Sequence, residues 1–217
     1  MPVPEKFLAR FEEGCYYHLI CKSGSSDLLF RCDENREFFL QQVRSYFTPF
    51  FKMVAYCLLD NHVHFLVEVR SVFEISSIIK TYPKEKLKLT YQRFLVDANK
   101  HLNELLIKQL NSFFISYTRS FNKKYERAGH LFLSPFKRIL IETDEHLTQT
   151  IIYIHANPFK HRLVNDFSQY RWSSYQSVIL PGNTNIERDF VLSWFGGRDK
   201  YIITHIDQAE YYYSDIE

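Results

Sequence analysis

The chain has 217 residues, 46% of them hydrophobic and 24% charged, with a net charge of +2. That length supports one large domain with a sizeable core, and the six glycines and seven prolines exclude a long low-complexity linker. No apolar run approaches the roughly 18–20 residues of a membrane span and no secretory leader is seen, so a cytoplasmic protein is expected, with Cys15, Cys21, Cys32 and Cys57 as reduced thiols without zinc spacing.

The charge is unevenly distributed. Residues 201–217 hold Asp207, Glu210, Asp215 and Glu217 and no Lys or Arg, so this tail is −4 and residues 1–200 are +6. A basic body favours a polyanionic partner. A charge of this size also suits ordinary solubility.

In chain order, "CYYHLICKS" (15–23) reads as a strand, aromatic and branched and ended by Ser-Gly-Ser-Ser. Residues 33–47 read as a helix capped by Asp33, with Phe38, Phe39, Val43 and Phe47 on one face. Residues 50–59 and 62–69 read as the two strands of a hairpin turned at Asp60-Asn61. The pattern from 72 to 125 is mostly helical, interrupted at Tyr82-Pro83 and Lys-rich over about 80–108. After Gly129 comes a strand (136–143), then a helix (144–157) capped by Thr143 or Asp144 and ended by Pro158. Residues 170–180 read as a further helix. This order describes an α+β domain over 1–180, a central antiparallel β-sheet with helices packed on it. A C-terminal extension, 181–217, ends in the acidic, Tyr-rich tail.

Within "DNHVHFLVEV" (60–69), strand alternation puts His62 and His64 on one face and Val63, Phe65 and Val67 on the other. Two imidazoles so placed suit one metal ion. Nine histidines in 217 residues also give such a pair about 0.4 times per chain by chance, so core histidines remain the stronger reading of the pair alone. Tyr153 and Asn157, four apart in "YIHANP", share a helical face. A phenol can attack phosphorus and an amide oxygen can ligate a metal, yet a packing tyrosine and a helix-end asparagine fit the same residues.

Order and surroundings carry more than either pair. The segments "YHLICKSGSSDLLFRCDENREFFL" (17–40), "AYCLLDNHVHFLVEV" (55–69), "SYTRSFNKKYERAGHLFLSPFKRILIE" (116–142), "IIYIHANPFKHRLV" (151–164) and "YRWSSY" (170–175) follow one another over most of 15–180. The chain resembles the HUH-superfamily single-strand DNA transposases, in particular the REP-associated tyrosine transposase branch. That resemblance implies a ferredoxin-like variant of the HUH endonuclease fold. It makes His62, His64 and Asn157 ligands of Mg²⁺ or Mn²⁺ and Tyr153 the nucleophile. It also implies a DNA hairpin (a REP-like palindrome) as partner, a nucleoid-associated setting, and action as a homodimer or as a monomer. Three departures stand out. Asp60 occupies a position where the family usually has Pro, Leu133 one where Gln is common, and the Lys-rich stretch about 80–108 resembles an insertion.

The implied chemistry is cleavage of single-stranded DNA through a 5′-phosphotyrosine, followed by strand rejoining without ATP. Arg119, Lys123, Lys124, Arg127, Lys137, Arg138, Lys160 and Arg162 are the expected DNA contacts, with Tyr117, Phe121 and Tyr125 interleaved as stacking surfaces. The alternative reading is a domesticated hairpin-binding protein that no longer cuts.

Overall fold

The computed structural model describes residues 4–24 and 28–213. In chain order the elements are β1 (Tyr16–Lys22), α1 (Asp33–Phe47), β2 (Phe51–Leu59), β3 (His62–Val69), α2 (Val72–Lys80), α3 (Leu89–Val96), α4 (Ala98–Lys124), β4 (Lys137–Ile141), α5 (Asp144–Lys160), α6 (Tyr175–Ile179), α7 (Arg188–Phe195) and α8 (Arg198–Tyr213). The four strands form one sheet in the order β2-β3-β1-β4, and every neighbouring pair is antiparallel. That order, with a helical crossover between β1 and β2 and another between β3 and β4, is the ferredoxin-like topology. The expected α+β class is observed.

Helices cover both faces of the sheet. On one face, Phe65 of β3 lies against Phe39 and Phe47 of α1, and Phe113 of α4 closes over both. On the other, α5 lies across the side of β3 that carries His62, His64 and Leu66. This double cover explains why β3 is buried at almost every position although only alternate residues face each layer. The Lys-rich stretch contributes α3, which is wedged between α2 and α4 and buries Tyr91 and Phe94. Asp97 divides α3 from α4 and caps the latter, its carboxylate accepting from the Lys100 N–H at 3.1 Å.

Three local expectations are corrected. Cys32, not Asp33, holds the N-cap position of α1, and Asp33 is the first helical residue. Pro158 does not end α5, which runs on to Lys160. A proline there forfeits one amide donor in the final turn, where few bonds remain to lose. Residues 170–180 are not one helix. Trp172 and Ser174 instead pair with the outer edge of β2, Leu58 N–H donating to Trp172 O and Ser174 N–H to Tyr56 O, both at 2.9 Å, so only Tyr175–Ile179 is helical.

The C-terminal extension joins the core. Glu187 N–H donates to Met53 O at 2.9 Å, and α8 packs on α5 with Tyr201 and His205 fully buried. Of the tail's acids, Asp207 is exposed, while the Glu210 side chain, Asp215 and Glu217 lie outside the described residues. Both sheet edges are occupied: residues 172–174 and 186–187 line β2, and Leu8 and Ala9 line β4. Among the described residues no helix is long and apolar enough to cross a membrane.

Truncating a fully buried aromatic costs about 3–5 kcal/mol. Tyr201→Ala is therefore expected to lower unfolding stability by about that amount, read by urea denaturation. A loss below about 1 kcal/mol would show α8 to be an appendage rather than part of the core.

Candidate functional site

The site begins at the β2–β3 turn, which is pinned from three sides. Leu29 N–H donates to Asp60 O at 2.7 Å, Ser23 N–H donates to Asn61 O at 2.8 Å, and Arg36 ion-pairs with the Asp60 carboxylate. Asp60 thus ties the turn to α1. His62 and His64 follow at once. Both are buried, and their ring centroids are 5.0 Å apart, so they converge as the alternation requires.

Helix α5 supplies the second half. Thr143 caps it as expected, its hydroxyl accepting from His146 N–H at 3.1 Å. The half-buried Tyr153 ring lies 5.7 Å from the His64 ring of the same chain and 6.1 Å from His18. One turn on, the Asn157 amide donates from Nδ2 to Tyr153 O at 2.9 Å, which fixes its orientation. A further turn on, the His161 ring stands 4.8 Å from His62. Positions 153, 157 and 161 therefore form one stripe running along the histidine pair.

Burial sets the electrostatics. Desolvation first, then the neighbouring His161 and Lys22, pushes His62 down to about 4. Burial first, then His18, His62, Lys22 and His161, holds His64 well below the ordinary histidine range. Burial, then His146, takes His18 to about 3. At neutral pH these are uncharged imidazoles whose nitrogens act as single donors or single acceptors.

The polar accounting is uneven at this spot. Among the described residues three buried side-chain polar atoms lack a hydrogen-bond partner, and two of them are here, His64 Nε2 and Asn157 Oδ1. Leaving such a group unsatisfied costs on the order of 1–3 kcal/mol, so orphaned atoms call for an explanation. No group of three His, Cys, Asp or Glu side chains suited to a metal occurs among the described residues. His62, His64 and Asn157 would instead offer two imidazoles and a carboxamide oxygen, chemistry that fits a divalent cation.

The expected DNA contacts divide. Arg119, Lys123, Lys160 and Arg162 are exposed. Lys160 carries its ammonium 5.2 Å from the Tyr153 ring centre. Lys124 is exposed but leans on Cys32 Sγ at 3.7 Å. Lys137 sits 4.5 Å over the Phe7 ring. Arg127 closes the loop after α4, donating to Asn122 Oδ1 at 2.9 Å and His130 O at 2.8 Å. Arg138 is largely withdrawn from solvent. It is buried and donates to Ala9 O and Leu8 O at 3.0 and 3.1 Å, fastening the N-terminal segment to β4. The expected stacking surfaces are corrected as well. Tyr117 and Phe121 point into the core, and Tyr125 spends its hydroxyl on Asn35 Oδ1 at 2.6 Å.

Three residues beside the site were not anticipated: His18, Lys22 and His161. His18 and Lys22 are placed by the β1–β3 register, which pairs Lys22 with His62 and Ile20 with His64. Alternation within "YHLICK" puts His18 and Lys22 on one face, but nothing local says which strand lies beside them.

No protein-family model matches the chain, and no curated protein matches it. Among solved structures it is similar to one described as a REP-associated tyrosine transposase bound to a REP hairpin, at 13% identity and a TM-score of 0.49, covering 81% of this chain and 90% of that one.

The lowered histidines generate a stability prediction for the metal-free protein. Unfolded histidine titrates near 6.5, whereas folded His62 and His205 titrate at about 4 and His18 at about 3. Between those values the unfolded chain binds more protons, so stability is full above about 6.5 and falls as pH drops towards 4. Denaturation midpoints in chelator are expected to decline clearly from pH 7 to pH 5. Equal midpoints would mean that these imidazoles are not buried neutral.

Proposed function

We propose that the chain is a metal-dependent single-stranded DNA endonuclease and strand transferase of the HUH type, acting on hairpin-bearing DNA. One observation carries the reading: within a single chain, Tyr153 stands against the His62/His64 pair, and two buried polar atoms of the proposed ligand residues are without partners. In this reading Tyr153 attacks the scissile phosphorus. The Tyr153 oxygen–phosphorus bond forms, the phosphorus–3′-oxygen bond breaks, and the departing 3′-oxygen takes up a proton. The bond energy is kept in the 5′-phosphotyrosine, so a DNA 3′-hydroxyl can reverse the step and join strands.

His62, His64 and Asn157 would hold Mg²⁺ or Mn²⁺. Such an ion, when bound, supplies charge stabilisation at a phosphate. The chain's own residues do the rest. Asn157 brings an uncharged oxygen rather than a carboxylate, which keeps negative charge away from an incoming phosphodiester. The Lys160 ammonium lies over the Tyr153 ring, where negative charge develops as the hydroxyl loses its proton. Arg119, Lys123 and Arg162 are exposed cations available to phosphates along the strand. The arrangement of Tyr153 and His64 within one chain supports a monomer as the working unit.

A labelled hairpin-bearing oligonucleotide incubated with Mn²⁺ is expected to give a covalent protein–DNA band on a denaturing gel, lost in Tyr153→Phe. An adduct that persists in Tyr153→Phe would sink the mechanism. Retardation on a native gel with no covalent band for the unaltered chain would favour a binding-only protein. Mixing Tyr153→Phe with His64→Ala is expected to leave adduct formation absent, and its recovery would show that the tyrosine serves a second chain.

A further inference from the structure

We infer that His18 is a positioning residue that locks His64 in a single tautomer, with the proton on Nδ1 and the Nε2 lone pair turned into the site. Its purpose rests on the metal-site reading above, but the tautomer itself rests on geometry.

His18 is buried on β1 and sits opposite Leu66, which makes it the diagonal neighbour of His64 on the same sheet face. Its Nε2 lies 2.8 Å from His64 Nδ1, so one of the two nitrogens carries the shared proton. If His18 donated, neutral His64 would hold its own proton on Nε2. That atom would then be a buried N–H with no acceptor. If His64 donates instead, Nε2 is a bare lone pair, and an unpartnered buried acceptor is the lesser exception of the two. The second arrangement is therefore favoured.

His62 shows the same device in simpler form. Its Nδ1 lies 2.7 Å from Asn61 Oδ1, which can only accept, so His62 also carries its proton on Nδ1 and offers Nε2. The two imidazoles thereby present equivalent lone pairs from adjacent same-face positions. An imidazole in place of the more usual carboxylate or carbonyl acceptor has a consequence. It fixes the tautomer without adding negative charge where a phosphodiester would have to approach.

The test uses the full chain, first without metal. Long-range ¹H–¹⁵N correlation spectra at neutral pH are expected to show His64 as the Nδ1–H tautomer. In His18→Phe, which fills the space but takes no proton, that tautomer is expected to lose its dominance. Mn²⁺ affinity by calorimetry should fall about 10–100-fold, the range for losing such a support. His18→Gln, whose carboxamide oxygen can still accept, should stay within a few-fold of the unaltered chain. An Nε2–H tautomer of His64 in the unaltered chain overturns the inference, as does unchanged Mn²⁺ affinity in a folded His18→Phe. If His18→Phe does not fold, the tautomer in the unaltered chain decides. If the unaltered chain takes up no Mn²⁺, the metal-site reading fails, and the metal-free tautomer still decides for or against His18.

Discussion

The rotation of α5 about its own axis is the constraint on which the site depends. At 100° per residue, Tyr153 and His155 point to opposite sides of the helix. His155 is fully buried in an unbroken line of hydrogen bonds. Tyr56 N–H donates to Ser174 Oγ at 2.8 Å, and Ser174 Oγ lies 2.8 Å from His155 Nε2. His155 Nδ1 lies 3.0 Å from His205 Nε2, and His205 Nδ1 donates to Tyr201 O at 2.8 Å. The carbonyl at the end can only accept, so the line has one direction: His205 offers Nε2, His155 donates to it from Nδ1, and Ser174 donates to His155 Nε2. Both imidazoles are neutral, held there by burial. Breaking any one link would strand a buried polar group, which is why the helix has one favoured rotation. That rotation sets Tyr153 against His64 of β3 and His18 of β1.

Seen this way, the C-terminal helix and the site are one construction. α8 supplies the acceptor that orients His155. The segment around Ser174 links the same imidazole to the edge of β2. The motif "YIHANP" therefore divides by helical face into residues that serve the site and a histidine that serves the frame.

The order and type of the main elements were legible because their periodicities are clean: α1 and β3 match their expected bounds, and Thr143 caps α5 as its position suggests. The convergence of His62 and His64 was legible for the same reason, since alternation alone requires it. What escaped was decided by distant parts of the chain. Residues 170–180 read as one helix, but an open strand edge more than a hundred residues earlier offers hydrogen bonds that a helix over 172–174 would forgo. Arg138 reads as a surface cation, and only the docking of Leu8 and Ala9 gives its guanidinium carbonyls to bond inside. Tyr117 and Phe121 lie in a basic stretch, yet a long helix has an inner face and they occupy it. His18 became part of the site through a strand register that no local pattern encodes.

The treatment of the sheet edges has a consequence for association. β2 is lined on its outer side by residues 172–174 and 186–187, and β4 by Leu8 and Ala9. The main-chain donors and acceptors there are used where these segments lie against the strands, so a second copy would have to peel away native structure before it could extend the sheet. At those positions it is side chains, rather than free main-chain groups, that are left to meet a partner.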